Sequence, residues 1–340
     1  MNTLIIQFLI TFSFSLLFIF LLNKKKYLSH YAGENHQNYI KTNATPLAGG
    51  FIVFFYFLLN IENISLVYIF FFLILLIGYL SDTNIIKSAY FRLVIQITII
   101  ILFVFFYDLR IISTRILILD ELLNDYFFAI LFTSFFILIL VNGTNFIDGT
   151  NLLAIGYFII LEIIFLYLRS EGLLINENIF SLNLFPALIV ILLLNFSNKI
   201  YLGDAGAYLL GFIYSTKCIL LYLENQNISP FFVILILWYP AFEILFSILR
   251  KLNFNKSPIK PDSNHLHQLI YLSLHTTVSD NILRSNFVGL IINFYNSIIF
   301  FFALSNIYNT QYQIILIFLN IIIYIFIYIR LIRLKLRKQF

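Results

Sequence analysis

Charge is what this 340-residue chain has least of: Asp, Glu, Lys and Arg together make up 11% of it, against about 25% in an ordinary soluble domain. With 61% hydrophobic residues, a water-soluble fold of this size would lack the polar surface to cover itself. Soluble architectures are thereby excluded, and the chain is expected to be solvated by lipid. Cysteine is nearly absent as well. Cys218 stands alone inside an apolar run, so neither a disulfide framework nor a cysteine-based zinc site is available. Twelve glycines and six prolines are too few for collagen-like or linker sequence. The net charge of +5 does not point to nucleic acid, because the basic residues sit at the ends of apolar runs, where membrane topology accounts for them.

Long apolar runs are what the chain has in abundance. A bilayer span takes about 20 mostly apolar residues, and eleven candidates stand at 3–22, 46–60, 64–80, 91–107, 126–142, 150–168, 184–198, 206–223, 229–249, 286–306 and 311–330. The second and seventh are short. The fold class expected is therefore all-α, a polytopic membrane helix bundle of about 10–11 transmembrane helices. The first run is not expected to be cleaved: no positive charge precedes it, no small-residue site follows it, and Lys24, Lys25 and Lys26 come directly after it.

Placing Lys24–Lys26 in the cytoplasm puts the N-terminus outside and the C-terminus inside. All but four of the 21 basic residues then fall on the cytoplasmic side, Lys41, Lys87, Arg92, Lys199, Lys256 and Lys260 among them. The four are Arg110, Arg115, Arg169 and Lys217, the last within a span. No internal repeat and no soluble domain is apparent. Residues 1–340 read as one integral membrane domain, with 250–285 as the longest cytoplasmic loop.

Polar residues are costly in such a chain, so their placement is informative. Five groups recur at the cytoplasmic ends of spans: Thr45-Pro46 with Gly49-Gly50; Gly78 to Ser81-Asp82; Asn142 to Asp148-Gly149; Leu202-Gly203-Asp204-Ala205-Gly206; and Asn264-His265-Leu266-His267. They lie far apart in sequence, yet a bundle could gather them into one cleft at the membrane interface. Three carboxylates brought together repel unless a cation sits among them. Mg²⁺ suits them: it takes hard oxygen ligands, often only one or two carboxylates, and completes its shell with phosphates and water. The competing role for each is a helix cap, which Asp204 could serve.

Asn142, Asn145 and Asp148 are spaced three apart, so on a helix they share one arc and can address one ligand; hydrogen bonding between helices is the alternative. His265 and His267 face the same way if the segment is extended, as Pro258 and Pro261 upstream favour. With Lys256 and Lys260 nearby they suit an anionic group; the alternatives are a His₂ metal site, for which no local third ligand has the spacing, and an ordinary solvated loop. Gly49 and Gly50 open a span, where backbone N–H groups can meet an anion, although glycine pairs also serve helix packing.

The order and spacing of these groups resemble the polyprenyl-phosphate N-acetylaminosugar-1-phosphate transferases, the glycosyltransferase family 4 superfamily. The resemblance runs from Lys41 to about Tyr271 and rests chiefly on Asn142-x-x-Asn145-x-x-Asp148-Gly149 and Leu202-Gly203-Asp204-x-Gly206. Arg92 and Gln96 match its Arg-x-x-x-Gln, Pro240 and Glu243 its Pro-x-x-acid, and His265-x-His267 its aminosugar branch rather than the pentapeptide translocases. The chain departs from the pattern at Ser81, where an Asp usually precedes Asp82. It departs again at Asn151, Ser263 and Gln268, which replace an Asp, an Arg and a His.

The resemblance implies transfer of an N-acetylaminosugar-1-phosphate from a UDP-N-acetylaminosugar to undecaprenyl phosphate, releasing UMP, on the cytoplasmic face of a bacterial inner membrane. It implies Asp82, Asp148, Asp204, His265 and His267 as catalytic residues, with Mg²⁺, or Mn²⁺ in its place, on Asp204 and Asp148. Gly49, Gly50, Lys87, Arg92, Asn142, Asn145 and Asn151 would bind substrate, and the 250–285 loop would recognise the sugar. The expected partners are the UDP-sugar, the lipid phosphate and membrane lipid, with a homodimer left open and no nucleic acid. The alternatives are a secondary transporter, with Glu162, Glu243 and Lys217 as intramembrane ionisable groups, or a catalytically silent relative that binds lipid phosphate.

Overall fold

A computed structural model describes residues 2–25, 27–28, 45–61, 65–173, 182–253, 255, 257 and 263–337. Of the residues singled out above, Lys26, Lys41, Lys256, Pro258, Lys260 and Pro261 lie outside the described ones. The described chain is helical, with one isolated parallel bridge between Leu47 and Tyr201. In order the helices are α1 (Asn2–Lys25), α2 (Gly49–Leu59), α3 (Val67–Asp82), α4 (Ala89–Phe106), α5 (Leu117–Leu123), α6 (Tyr126–Ile147), α7 (Leu153–Ser170), α8 (Phe185–Phe196), α9 (Gly203–Glu224), α10 (Pro230–Ile236), α11 (Trp238–Asn253), α12 (Leu266–Ser273), α13 (Asn281–Leu304) and α14 (Thr310–Leu336).

Every one of the eleven apolar runs is helical, but they are not eleven equal spans. Seven helices, α1, α4, α6, α7, α9, α13 and α14, are long and apolar enough to cross a membrane. The run at 229–249 is split into α10 and α11, bent by 77° between them, which makes an eighth span if the pair is counted as one. The helices α2, α3 and α8 have 11, 16 and 12 residues, or roughly 16–24 Å at 1.5 Å per residue, short of a hydrocarbon core of about 30 Å. The expectation of 10–11 full spans is corrected to that extent. Two short helices, α5 and α12, were not expected, and α12 falls within the stretch read as a loop at 250–285.

Polar residues set several of the helix starts. Asp125 accepts from Phe128 N–H at 2.7 Å to open α6, Asp280 from Leu283 N–H at 2.7 Å to open α13, and Asn309 from Tyr312 N–H at 3.0 Å to open α14. In between, side chains are almost wholly apolar, and what decides packing is how closely backbones can approach. Around α9 they approach very closely: α9 packs against α2, α3 and α6, and 89% of its most apolar window is buried, against 17% for α1 and 22% for α14. The helix α9 is thus the central post and α1 and α14 are lipid-facing.

Two polar assemblies tie the bundle away from the N-terminus of α9. Midway along, Lys217 Nζ lies 3.0 Å from Glu162 Oε2 and donates to Leu182 O at 3.0 Å. Tyr214 Oη and Leu184 N–H also donate to Glu162, at 2.5 and 3.0 Å. Both charges are deeply buried, and the pairing with extra hydrogen bonds is what makes such burial tolerable. Beyond the C-terminus of α9, the Arg115 guanidinium donates to the carbonyls of Gln226, Asn227 and Ile228 at 2.8–3.0 Å and to Thr310 Oγ1 at 2.8 Å. This clamp joins the segment before α5 to the α9–α10 turn and the start of α14.

Candidate active site

The N-terminus of α9 is where the polar groups converge. Asp82, the last residue of α3, accepts from Asp204 N–H at 2.9 Å and from Ala205 N–H at 3.1 Å. Asp148, the residue closing α6, lies near enough to the same helix start to feel the charges of Asp82 and Asp204 and the dipole of the Gly203 N–H. Asp82, a carboxylate from another helix, therefore satisfies two of the unpaired N–H groups that every helix start presents, and it does so at the positive end of the α9 dipole. The cap is supplied across the bundle, rather than by each Asp to its own following helix.

The Asp204 side chain points the other way, into a ring of donors. Ser81 Oγ donates to Asp204 Oδ2 and Arg92 Nη1 donates to Ser81 Oγ; Arg92 Nη1 also lies 3.4 Å from Asp204 Oδ2. Asn145 Nδ2 donates to Asp204 Oδ1 at 2.5 Å. Asn142, one turn earlier on α6, donates to Gln96 Oε1 of α4 at 3.0 Å. So the α6 arc addresses α9 with Asn145 and α4 with Asn142. Side-chain exposures of 25% for Arg92 and 28% for Asp204 leave this ion pair reachable by a ligand.

Asp148 is half-buried and its carboxyl is held well above the ordinary carboxylate range. Burial is the main cause, followed by the charges of Asp204 and Asp82, while the Gly203 N–H works in the opposite direction. The three acidic groups thus repel across one small volume, as the sequence suggested.

The histidines arrive from α12. His265 is its N-cap residue, with extended backbone (φ −76°, ψ 150°), and His267 lies in the first turn. The segment is not extended across both, yet the two rings stack 5.7 Å apart, 10° from parallel. The His265 ring also meets Phe146 of α6 edge-on at 5.1 Å. His267 Nε2 presses on Gly149 so closely that a Cβ there would lie 2.3 Å from it, which sets this ring beside Asp148. Behind His265 stands Glu243 of α11, with His265 Nδ1 at 3.0 Å from Glu243 Oε1.

Other expected substrate contacts are placed differently. Gly49 N–H donates to Tyr201 O at 3.1 Å, so it is already paired. A Cβ on Gly50 would lie 2.6 Å from Gly206 N, and one on Gly78 2.3 Å from Ala205 Cα; these glycines let α2 and α3 lie directly against the start of α9. Asn151 is buried, and its bonds run outside the cluster: its N–H donates to Ser285 Oγ at 2.8 Å and its Nδ2 to Asn198 Oδ1 at 3.3 Å. Lys87 is exposed on the connection between α3 and α4.

Among the described residues, no three His, Cys, Asp or Glu side chains are grouped so as to hold a metal ion. Asp204 and Asp148, with the Asn145 amide beside Asp204, offer hard oxygens of the kind Mg²⁺ prefers. One or two carboxylates suffice for that ion when phosphates and water complete the shell. The residues fit a cation that arrives with a phosphate ligand rather than one caged by protein alone.

Residues 64–222, just under half of the chain, match the model of the family described as Glycosyl transferase family 4. That stretch runs from before α3 to near the end of α9 and carries Asp82, Arg92, Asn142, Asn145, Asp148 and Asp204. Among curated proteins, the chain is 35% identical over 132 residues to a probable undecaprenyl-phosphate N-acetylglucosaminyl 1-phosphate transferase of Bacillus subtilis, covering 38% of this chain and 36% of that one. It is 30% identical over 195 residues to the decaprenyl-phosphate N-acetylglucosaminephosphotransferase of Mycolicibacterium smegmatis, covering 51% of this chain and 48% of that one. A further match, 34% over 71 residues, is to an undecaprenyl-phosphate alpha-N-acetylglucosaminyl 1-phosphate transferase of Thermotoga maritima, covering 21% of this chain and 23% of the relative. The chain spans less than half the length of each of these relatives. Over the matched stretches the chain is similar to proteins named as undecaprenyl- or decaprenyl-phosphate N-acetylglucosamine-1-phosphate transferases.

Proposed function

We propose that the protein transfers an N-acetylaminosugar-1-phosphate from a UDP-sugar to a polyprenyl phosphate, undecaprenyl phosphate being the expected acceptor, at the cytoplasmic face of a bacterial membrane. The observation that carries this reading is the meeting of Asp82, Asp148 and Asp204 around the start of α9, with Arg92, Asn145 and the two histidines beside them. Relatives named as undecaprenyl- or decaprenyl-phosphate N-acetylglucosamine phosphate transferases support the lipid acceptor and the kind of group transferred. The basic ends of α1 and α14, Lys24, Lys25, Arg333 and Lys335, lie at the same end of the bundle as Asp204, since Tyr27 meets Tyr79 and Lys335 meets Asn264. An excess of basic residues marks the cytoplasmic side.

In this reaction an oxygen of the lipid phosphate attacks the sugar-bearing phosphorus of the UDP-sugar, the bond from that phosphorus to UMP breaks, and a lipid diphosphate sugar forms. A phosphate monoester has a second pKa near 6, so the nucleophile is already largely ionised at neutral pH and no strong protein base is required. Ser81 in place of an acidic residue is compatible with that chemistry. What the protein must supply is alignment and charge compensation. Arg92 is placed to bind phosphate oxygens with its planar fork. Asn145 and Asn142, the latter steadied by Gln96, would orient the diphosphate, and His265 and His267 would bind a phosphate or sugar group. Asp204 and Asp148 are the residues that would hold Mg²⁺, which when bound supplies positive charge to the diphosphate.

The intramembrane ionisable residues that would favour a transporter are engaged with protein partners, Glu162 with Lys217 and Glu243 with His265. Transfer of radiolabelled sugar phosphate from a UDP-sugar into organic-extractable lipid tests the reading. Wild type is expected to give Mg²⁺-dependent product and UMP, and Asp204→Asn to give neither. Transport of intact UDP-sugar without lipid product, or full turnover in the Asp204 variant, would overturn it.

A further inference from the structure

His265 is held from behind by an assembly that draws on the last helix of the chain, beyond both the family-matched segment and the motif resemblance. Glu243 is 1% exposed. Its Oε1 faces His265 Nδ1 at 3.0 Å and accepts from Leu266 N–H at 3.2 Å. Its Oε2 accepts from Tyr324 Oη of α14 at 2.7 Å. Gln268 Oε1 accepts from His265 N–H at 3.2 Å, and Lys335 Nζ, also on α14, donates to Asn264 Oδ1 at 2.7 Å and Ser263 O at 3.0 Å. The other groups around the pair are the stacked His267 ring, Tyr239 within electrostatic reach of Glu243, and Lys251 across the Phe146 ring at 5.8 Å.

An ionised carboxylate accepts hydrogen bonds only. Leu266 N–H and Tyr324 Oη are already directed at it, so a ring nitrogen 3.0 Å away meets this carboxylate favourably as N–H, in competition with the Gln268 N–H that faces the same imidazole in the α12 capping box. We propose that Glu243 is a positioning residue that commits the Nδ1 proton of His265, so that this imidazole accepts and gives up its proton only through Nε2, and that Tyr324 of α14 fixes the carboxylate in that role. Three donors from α12 and α14 converge on Glu243, His265 Nδ1, Leu266 N–H and Tyr324 Oη, and together they fix the carboxylate against the ring. This inference rests on the proposed transferase reading for its catalytic consequence, while the ring's proton placement stands apart from it.

Both parts can be measured. In histidine-¹⁵N-labelled protein, with the His265 signal assigned by its loss in His265→Asn, the neutral ring is expected to carry its proton on Nδ1. A proton on Nε2 overturns the proposal, whether or not the protein shows transferase activity. In the transfer assay, Glu243→Leu removes the acceptor and is expected to lower kcat by about 10–100-fold, the usual range for a group that orients a functional histidine, with KM little changed. Glu243→Gln keeps Oε1 for His265 and Leu266 and can donate to Tyr324, so it is expected to retain most of the activity. In the His265→Asn background, Glu243→Leu should cost almost nothing more. An equal loss in both backgrounds, or Gln no better than Leu, means that Glu243 does not act through His265. A wild type without transfer activity would instead refute the transferase reading and leave the ¹⁵N result to decide this one.

Discussion

Replacing Gly78 by alanine adds one methyl group between α3 and α9, and the geometry allows its cost to be worked out. The new Cβ would lie 2.3 Å from Ala205 Cα and 2.4 Å from Ala205 N, whereas carbon contacts settle at about 3.5–4.0 Å. The obstructing atoms are backbone, so no rotamer change relieves the clash, and α3 and α9 must separate locally by roughly 1.2–1.7 Å. Asp82 sits one turn away and holds Asp204 N–H at 2.9 Å and Ala205 N–H at 3.1 Å. A separation of that size takes both bonds past the range of about 3.2 Å in which N–H···O bonds are effective. Overpacking costs about 1–3 kcal/mol, and loss of hydrogen bonds to a charged acceptor about 1.5–3 kcal/mol each. A displacement of Asp204 by about 1 Å is expected to cost on the order of 100-fold in rate. The assays are thermal unfolding in detergent and radiolabel transfer to lipid, with Gly172→Ala as the comparison. Gly172 has open space around it but φ +76°, so its substitution strains one turn without touching α9. If Gly78→Ala matched wild type in both assays, the close seating of α3 on α9 would not be what holds the cluster together.

Three further outcomes are expected. Lys217→Met leaves the Glu162 carboxylate buried without its counter-ion and should destabilise the protein by about 3–5 kcal/mol, with Glu162→Gln added to it restoring much of the loss; chemical unfolding of the three variants checks this. The fold favours the protonated form of Asp148, so without divalent cation its contribution to stability is greatest below the ordinary carboxylate value of about 3.9 and falls as pH rises through the higher native value. Asp148→Asn should flatten the decline of melting temperature with pH measured in EDTA, and parallel profiles would contradict the cause assigned to the shift. Arg115→Lys keeps the charge but loses the planar fork that reaches three carbonyls and Thr310; the melting temperature should fall while KM for the UDP-sugar stays unchanged, because the clamp lies at the opposite end of α9 from Asp204.

Much of this architecture could be read before any coordinates, because hydropathy alone marks a lipid-facing helix. The eleven runs are all helical for that reason. The bend between α10 and α11 interrupts no apolar residue and so leaves hydropathy untouched; Pro240, three residues after the break, was the one local signal. The helices α5 and α12 have seven and eight residues, too short to show a period. At the cluster, residue types and spacing singled out Asp82, Asp148, Asp204, Asn145 and the histidines, which the fold brings to one end of the bundle. What they left hidden was which partner each had, since a cap given by α3 to α9 joins residues 122 positions apart. Gly49 and Gly50 illustrate the same limit: a glycine pair at a helix start reads alike whether it meets an anion or a neighbouring backbone. Tyr324 carried no signal at all, being one aromatic residue in a long apolar helix. Glu162 and Lys217 were each conspicuous, but their pairing was not.

The caps on α9 couple occupancy to rigidity. Asp82 anchors the start of the central post, and Asp148 and Asp204, the proposed ligands of an arriving cation, lie beside it, so loading the cluster would shift the charge that its capping bonds feel. Amide exchange at Gly203, Asp204 and Ala205 should therefore respond to divalent ions and nucleotide before any other part of the molecule does, with the lower half of α9 behaving as an unmoved reference.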